Sequence, residues 1–266
     1  MKVVIVTGAS SGIGLAIAQH LCKKGYKVYG FSRSKIYEKG ILSIQVDVTD
    51  LNQIKSAFKD IYDQEGKIDV LINNAGMGIS GSIEDTSFED ASYLMHVNFL
   101  GTFNTTKVAI PLMREGGGGK ILNISSVASK LSIPFQAFYS ASKAAVNAFT
   151  DALANEVQPF HIQTCAILPG DIKTGFTKNR KKNLDNDPSY HDRVEKSVEV
   201  MEQDELNGMD PEVAARTVEK LIRKKRIPLQ KTIGTKYKVF VFLSQVLPHR
   251  WVNQIVGKIY GFKKRK

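Results

Sequence analysis

The 266-residue chain has two cysteines, one tryptophan and no apolar run of eighteen residues. Each scarcity removes a class of protein. Cys22 and Cys165 lie far apart, in helix-like and strand-like apolar contexts. They offer neither a disulfide framework nor a zinc spacing and read as buried reduced thiols. Without a long apolar run, no membrane-spanning helix is expected. His20, His96, His161, His191 and His249 show no metal-ligand spacing. A short strand pattern runs directly into a glycine loop near residue 8, so no secretory leader is expected. Acid is scarce in one region only. Residues 216–266 hold fifteen Lys and Arg but one acid, Glu219, whereas residues 1–215 hold 22 basic residues against 25 acidic ones. The net charge of +11 therefore belongs to the C-terminal fifth.

What remains is an ordinary globular composition, 42% hydrophobic and 24% charged, long enough for one sizeable core. Short β-rich runs at 2–6, 27–31, 42–46, 69–72, 120–124 and 162–168, with a seventh near 227–233, alternate with helical patterns. The helical patterns follow residue 12, run from Leu51 to Tyr62 behind an Asp50 N-cap, and cover 87–114 and 137–157. This alternation predicts an α/β fold: a doubly wound, Rossmann-type parallel sheet of about seven strands with helices on both faces. A C-terminal helical extension follows it.

Four stretches carry chemistry. Gly8, Gly12 and Gly14, with Ser10, Ser11 and Ile13, form the turn between the first strand and helix. Three glycines let the backbone approach a pyrophosphate at the helix N-terminus, where unpaired N–H groups favour negative charge. The second strand ends at Ser32-Arg33, with no acid to bond a ribose 2′-OH. A guanidinium suits a 2′-phosphate, so NADP(H) is preferred and NAD(H) is the lesser alternative. Asp47, beside Val48, either reaches the adenine amine or closes a turn. Asn73-Asn74-Ala75-Gly76 ends the fourth strand in small polar residues that admit a ligand. Asn98 interrupts an apolar helical face and serves as a structural bridge or a proton relay. Ser125-Ser126 lies at the C-terminal end of the fifth strand, where open α/β sheets bind ligands. Tyr139 and Lys143, at i and i+4, share one helical face, and an ammonium near a phenol favours the phenolate.

Together Thr7–Gly14 (TGxxxGxG), Asn73–Gly76 (NNAG), Ser126, Tyr139-x-x-x-Lys143 and Pro169-Gly170 resemble the short-chain dehydrogenase/reductase family over residues 2–230. Asn98 stands 28 residues before Ser126, and Ser126 stands 13 before Tyr139, as in that family. The resemblance implies an oxidoreductase acting on CH–OH groups. Tyr139 would be the general acid/base and Lys143 would lower its pKa and bond the nicotinamide ribose. Ser126 would bond the reacting oxygen, and Asn98 would hold a water linking Lys143 to solvent. Pro169, Gly170, Ile172 and Thr174 would line the nicotinamide side. It also implies a homodimer or homotetramer and a substrate loop at about 171–208; the chain itself is read as a dinucleotide-binding catalytic domain over 1–234, cytoplasmic in location. Met77, Ile79, Ile83, Ile133, Pro134, Phe135, Phe176 and Met201 are candidate pocket residues, suited to a steroid-, retinoid- or lipid-like ketone. The rival class, a non-catalytic dinucleotide sensor or scaffold, has no use for Asn98, Ser126, Tyr139 and Lys143 together.

Residues 235–266 form a basic amphipathic extension closing with Phe262-Lys263-Lys264-Arg265-Lys266. It suits peripheral contact at the inner face of a membrane, a cover over the substrate site, or a subunit interface. Its cations flank an apolar stripe and form no phosphate-tracking groove, so nucleic acid is not an expected partner.

Overall fold

The structure, a computed structural model, describes residues 1–183 and 187–260; the Phe262–Lys266 basic terminus lies outside the described residues. In chain order the strands are β1 (Val3–Thr7), β2 (Lys27–Ser32), β3 (Ile41–Gln45), β4 (Val70–Asn73), β5 (Ile79–Ser80), β6 (Gly119–Ile124), β7 (Ile162–Pro169), β8 (Lys181–Lys182) and β9 (Gln230–Ile233). The α-helices are α1 (Gly12–Lys23), α2 (Leu51–Glu65), α3 (Phe88–Met95), α4 (Gly101–Glu115), α5 (Ala137–Val157), α6 (Phe176–Asn179), α7 (Arg193–Leu206), α8 (Pro211–Arg223), α9 (Thr235–Val246) and α10 (His249–Ile259).

Seven strands make one parallel sheet in the order β3-β2-β1-β4-β6-β7-β9, and β5 pairs β8 separately. Both faces of this sheet are covered, which is why β1 is buried at all five residues and reads as an unbroken apolar run. Val4 and Val6 face a core completed by Ile17, Ala18 and Leu21 of α1 and by Ala214, Val218 and Leu221 of α8. Val3 and Ile5 face the opposite core, with Ile54 and Phe58 of α2, Met113 of α4 and Leu153 of α5. Asp50 caps α2 as expected, accepting from the Asn52 (2.9 Å) and Gln53 (3.1 Å) amides.

The strand order reverses direction between β1 and β4, opening a crevice at the C-terminal ends of the strands. A buried polar chain ties that end together. Asn73 donates to Asn123 (2.9 Å) and Thr106 (3.0 Å), and Thr105 donates to Asn73 (2.7 Å). Asn123 in turn donates to Thr150 of α5 (2.9 Å). Each amide has its partners, so the network locks β4, β6, α4 and α5 in register at little desolvation cost.

The stretch 87–114 differs from its expected single helix. A π-helical turn over His96–Leu100 separates α3 from α4. A Cβ at Gly101 would meet Val48 Cγ2 at 2.7 Å, so the helix passes the β3–α2 loop only at a glycine. The wide turn places Asn98 on the crevice side. The cysteines also divide: Cys165 is buried, whereas Cys22 is half-buried.

Candidate active site

A cavity of about 650 Å³ runs across the crevice, and the expected residues converge on it. At one end lie Gly8, Ser10, Ser11, Gly12, Ile13, Ser32, Arg33, Asp47, Val48, Asn74, Ala75 and Gly76. In the middle are Ser126, Tyr139 and Lys143, and Pro169, Gly170, Ile172 and Thr174 close one side. Gly14 and Asn98 stand behind this lining.

The glycine turn is held from the neighbouring strand. Thr7 Oγ1 accepts from the Asn74 (2.9 Å) and Ala75 (3.0 Å) amides, and Asn74 Nδ2 donates to the carbonyls of Thr7 (3.0 Å) and Gly8 (3.2 Å). A Cβ on Gly14 would lie 2.3 Å from both Asn74 Nδ2 and Gly8 O, so only glycine permits this closure. A Cβ on Gly12, at φ +55°, would meet Thr174 across the cleft at 3.4 Å. Ser11, Gly12 and Ile13 at the start of α1 line the cavity. The cradle fits the pyrophosphate of a dinucleotide.

Beyond it, Arg33 is exposed, and its Nη1 donates to Tyr93 Oη at 3.1 Å, across the mouth of the cavity. Asp47 accepts from the Thr49 amide (2.9 Å) and hydroxyl (2.7 Å) while lining the cavity. Its Oδ1 closes a turn, while the carboxylate stays on the cavity wall.

The catalytic candidates are fixed by backbone contacts. Ser125 at the end of β6 donates to the Lys143 carbonyl (3.0 Å) and so docks α5 against the sheet. Lys143 Nζ donates to Ile124 O at 2.9 Å and stands 5.8 Å from the centroid of the Tyr139 ring. The Tyr139 phenol hydrogen-bonds Ser126, whose Oγ also accepts from the Ala128 amide (3.1 Å). Asn98 Oδ1 accepts from the Met77 amide (2.8 Å), and its Nδ2 donates to Met77 O (3.0 Å) and Ser142 Oγ (3.1 Å). Its side chain is a bridge between the β4 loop and α5. A Cβ placed on Gly76 would lie 3.2 Å from Asn98 Oδ1 and 3.5 Å from Lys143 Nζ, which shows how closely the three positions converge.

Electrostatics depart from the expectation of an acidified phenol. Burial pushes Tyr139 up to about 12, outweighing the opposing Ser126 bond, and the nearby Glu205 carboxylate raises it further. Burial also holds the Lys143 ammonium down, at about 8. Around neutral pH the phenol is therefore a protonated donor beside an ammonium. Reductive kcat/KM of the free enzyme is expected to fall as pH rises through about 8, where Lys143 loses its proton. The arginine variant K143R should move this limb to higher pH; an unmoved limb would assign it elsewhere.

The substrate end has an apolar wall and a polar floor. The Phe176 ring lies 5.7 Å from that of Tyr139, and a Cβ on Gly78 would meet it at 2.8 Å. Met77, Ile133 and Phe176 line the cavity as anticipated. Ile79 and Met201 are core, Ile83 is exposed, and Pro134 and Phe135 line a separate cavity of about 450 Å³ against α10. Sequence reasoning missed Tyr93 and Gln136 and did not single out Asn179 and Glu205 within the anticipated substrate loop, although all four line the cavity. Glu205 accepts from Thr177 Oγ1 (2.5 Å) and pairs with the buried Arg180. Asn179 and Arg180 sit in the anticipated substrate loop, but no local period marks Glu205 as a partner 25 residues away.

The extension meets the site directly. Tyr237 of α9 donates to the Asp171 carboxylate, and its ring covers Gly170. The segment therefore packs against the Pro169–Asp171 stretch at one side of the cavity. Val241 joins Val127, Ala166 and Leu168 in a small third core beneath it.

A doubly wound sheet with a glycine cradle and a Ser–Tyr–Lys constellation at its switch point defines an oxidoreductase of the dinucleotide-binding kind. Comparison with known proteins agrees. The family described as short chain dehydrogenase matches residues 2–185. A protein of Bacteroides thetaiotaomicron called 3-ketodihydrosphingosine reductase is 41% identical over 266 residues, covering 98% of this chain and 99% of that protein. A probable short-chain type dehydrogenase/reductase, VdlC, of Helicobacter pylori is 33% identical, with 98% of each chain covered. The crystal structure of a short-chain dehydrogenase from Streptomyces avermitilis superposes with a TM-score of 0.82 at 31% identity, again over 98% of each chain. The chain belongs to the short-chain dehydrogenase/reductase family and is an oxidoreductase acting on CH–OH groups.

Proposed function

We propose that the protein is an NADP(H)-dependent reductase of a hydrophobic, lipid-like ketone, interconverting it with the secondary alcohol. The observation that carries this reading is the Tyr139 phenol, protonated at neutral pH, bonded to Ser126 and walled by Phe176 in a cavity with Met77 and Ile133. The bound nicotinamide supplies the hydride. Ser126 and Tyr139 present two donors to the carbonyl oxygen, where negative charge grows, and Tyr139 delivers the proton. Lys143 holds positive charge beside the phenol and would bond the ribose of a bound nicotinamide cofactor. Asn98 is a positioning residue that fixes Met77 and the floor at Gly76. The name of the Bacteroides relative supports the lipid-like class among steroid-, retinoid- and lipid-like ketones. Arg33, with no acid at the end of β2, supports NADP(H) over NAD(H). A homodimer or homotetramer belongs to this reading by family resemblance.

The test is loss of NADPH absorbance with 3-ketodihydrosphingosine and other long-chain ketones. No consumption with any hydrophobic ketone would return the non-catalytic sensor as the better reading. In the same assay, Arg33→Ala should lower kcat/KM for NADPH by about 10–100-fold, the range of one or two charge-assisted hydrogen bonds. The value for NADH should be nearly unchanged. An equal loss with both cofactors would deny Arg33 a role in discrimination.

A further inference from the structure

The two helices of the extension are apolar on two sides, and only one side faces the protein. Val241, Val252 and Val256 are buried inward. Val239, Phe242 and Val246 on α9, spaced i, i+3, i+7, and Trp251, Ile255 and Ile259 on α10, spaced i, i+4, i+8, are 47 to 61% exposed. Such spacings put each triplet on one helical face. Single exposed apolar residues need no explanation, but two such triplets on consecutive helices, each aligned on one helical face, call for a partner.

The charge around the patch selects that partner. Residues 235–260 contain no Asp or Glu, and Lys236, Lys238, Arg250 and Lys258 are all exposed. A two-fold interface would set this face against its own copy, cation against cation, with no acid in the segment to pair them. An anionic bilayer complements both features. Apolar side chains enter the acyl boundary while the cations meet lipid phosphates, and Trp251 suits the headgroup level. At twelve and eleven residues, α9 and α10 are too short to span, and no described helix is long and apolar enough to cross a membrane.

We infer that the outer face of α9 and α10 is a docking surface for an anionic phospholipid bilayer, lying in the interface plane. The same segment covers the cofactor loop through Tyr237 and lines the cavity beside Pro134 and Phe135 with Val256 and Lys258. Docking therefore sets the catalytic crevice next to the lipid surface.

Vesicle flotation of the full chain tests this, using phosphatidylcholine alone and phosphatidylcholine mixed with phosphatidylglycerol. The protein should float with the anionic vesicles, less with the neutral ones, and less again at high salt. The double variant F242S/W251S should partition at least about tenfold more weakly, since both side chains leave water on docking. Its sedimentation and its turnover of a water-soluble ketone should match the parent. Three results would overturn the inference: no flotation of the parent, equal flotation of the variant, or a change of oligomeric state in the variant with no vesicle binding by the parent. The last would make the face an interface between copies. Flotation reads binding without turnover, so it stands or falls separately from the ketone assay.

Discussion

Tyr139→Phe should lower kcat by about 10²–10⁴-fold, the range expected for a positioned general acid, with little change in the dissociation constant for NADPH. The substitution removes one oxygen and leaves the rest of the site standing. The ring keeps its 5.7 Å contact with Phe176 and its place 5.8 Å from Lys143 Nζ. Loss of the Ser126 bond should cost about 0.5–1.5 kcal/mol of stability at most. Fluorescence titration with NADPH and turnover measured on the same preparation separate the two effects. Turnover within tenfold of the parent would transfer the proton to another donor. Burial holds the phenol near 12, so the protein enters the cycle with the proton in place across the physiological range. That state is the one reduction consumes. In the oxidative direction the same group must first lose its proton, so alcohol oxidation should need higher pH.

Gly170→Ala should both destabilise the fold and weaken cofactor binding, by about 1–3 kcal/mol and at least about tenfold, as for overpacking against a ring held in place. A Cβ there would fall 2.0 to 2.3 Å from three carbons of the Tyr237 ring. The ring cannot retreat freely, because its hydroxyl is bonded to Asp171, whose carboxyl is itself raised by burial. Either the ring leaves and Asp171 loses its donor, or the Pro169–Asp171 segment moves into the crevice. Urea unfolding and NADPH titration measure the two losses. The pair G170A/Y237A should recover much of the NADPH affinity, since the clash needs both side chains. Additive losses in the pair would show that the ring is not the obstacle.

The motifs were legible because each is local. Gly8, Gly12 and Gly14, or Tyr139 and Lys143, bring their meaning within one turn of chain, and the doubly covered sheet marks its strands as apolar runs. Limits shifted by a residue at β1 and β3, where strand pairing decides the end. The break at His96–Leu100 was illegible, since apolar periodicity continues through it and only Gly101 against Val48 betrays the contact. The polar floor was hidden for a related reason. Glu205 and Arg180, or Tyr237 and Asp171, are distant in sequence and carry no shared pattern until the chain is folded. Pocket residues were overcounted because Ile79 and Met201 look alike in sequence whether they face a cavity or a core.

The wide turn at His96–Leu100 makes segment length a variable of the site's geometry. It carries one residue more than regular α-helical winding needs, and that surplus sets the azimuth of everything after it. Deleting a residue there would rotate α4 by about 100° relative to α3 or swing Asn98 off Met77, with every side chain elsewhere unchanged. The site is thus specified by a count as well as by identities. A chain that kept all the motifs but lost this one position would keep the parts and misplace them.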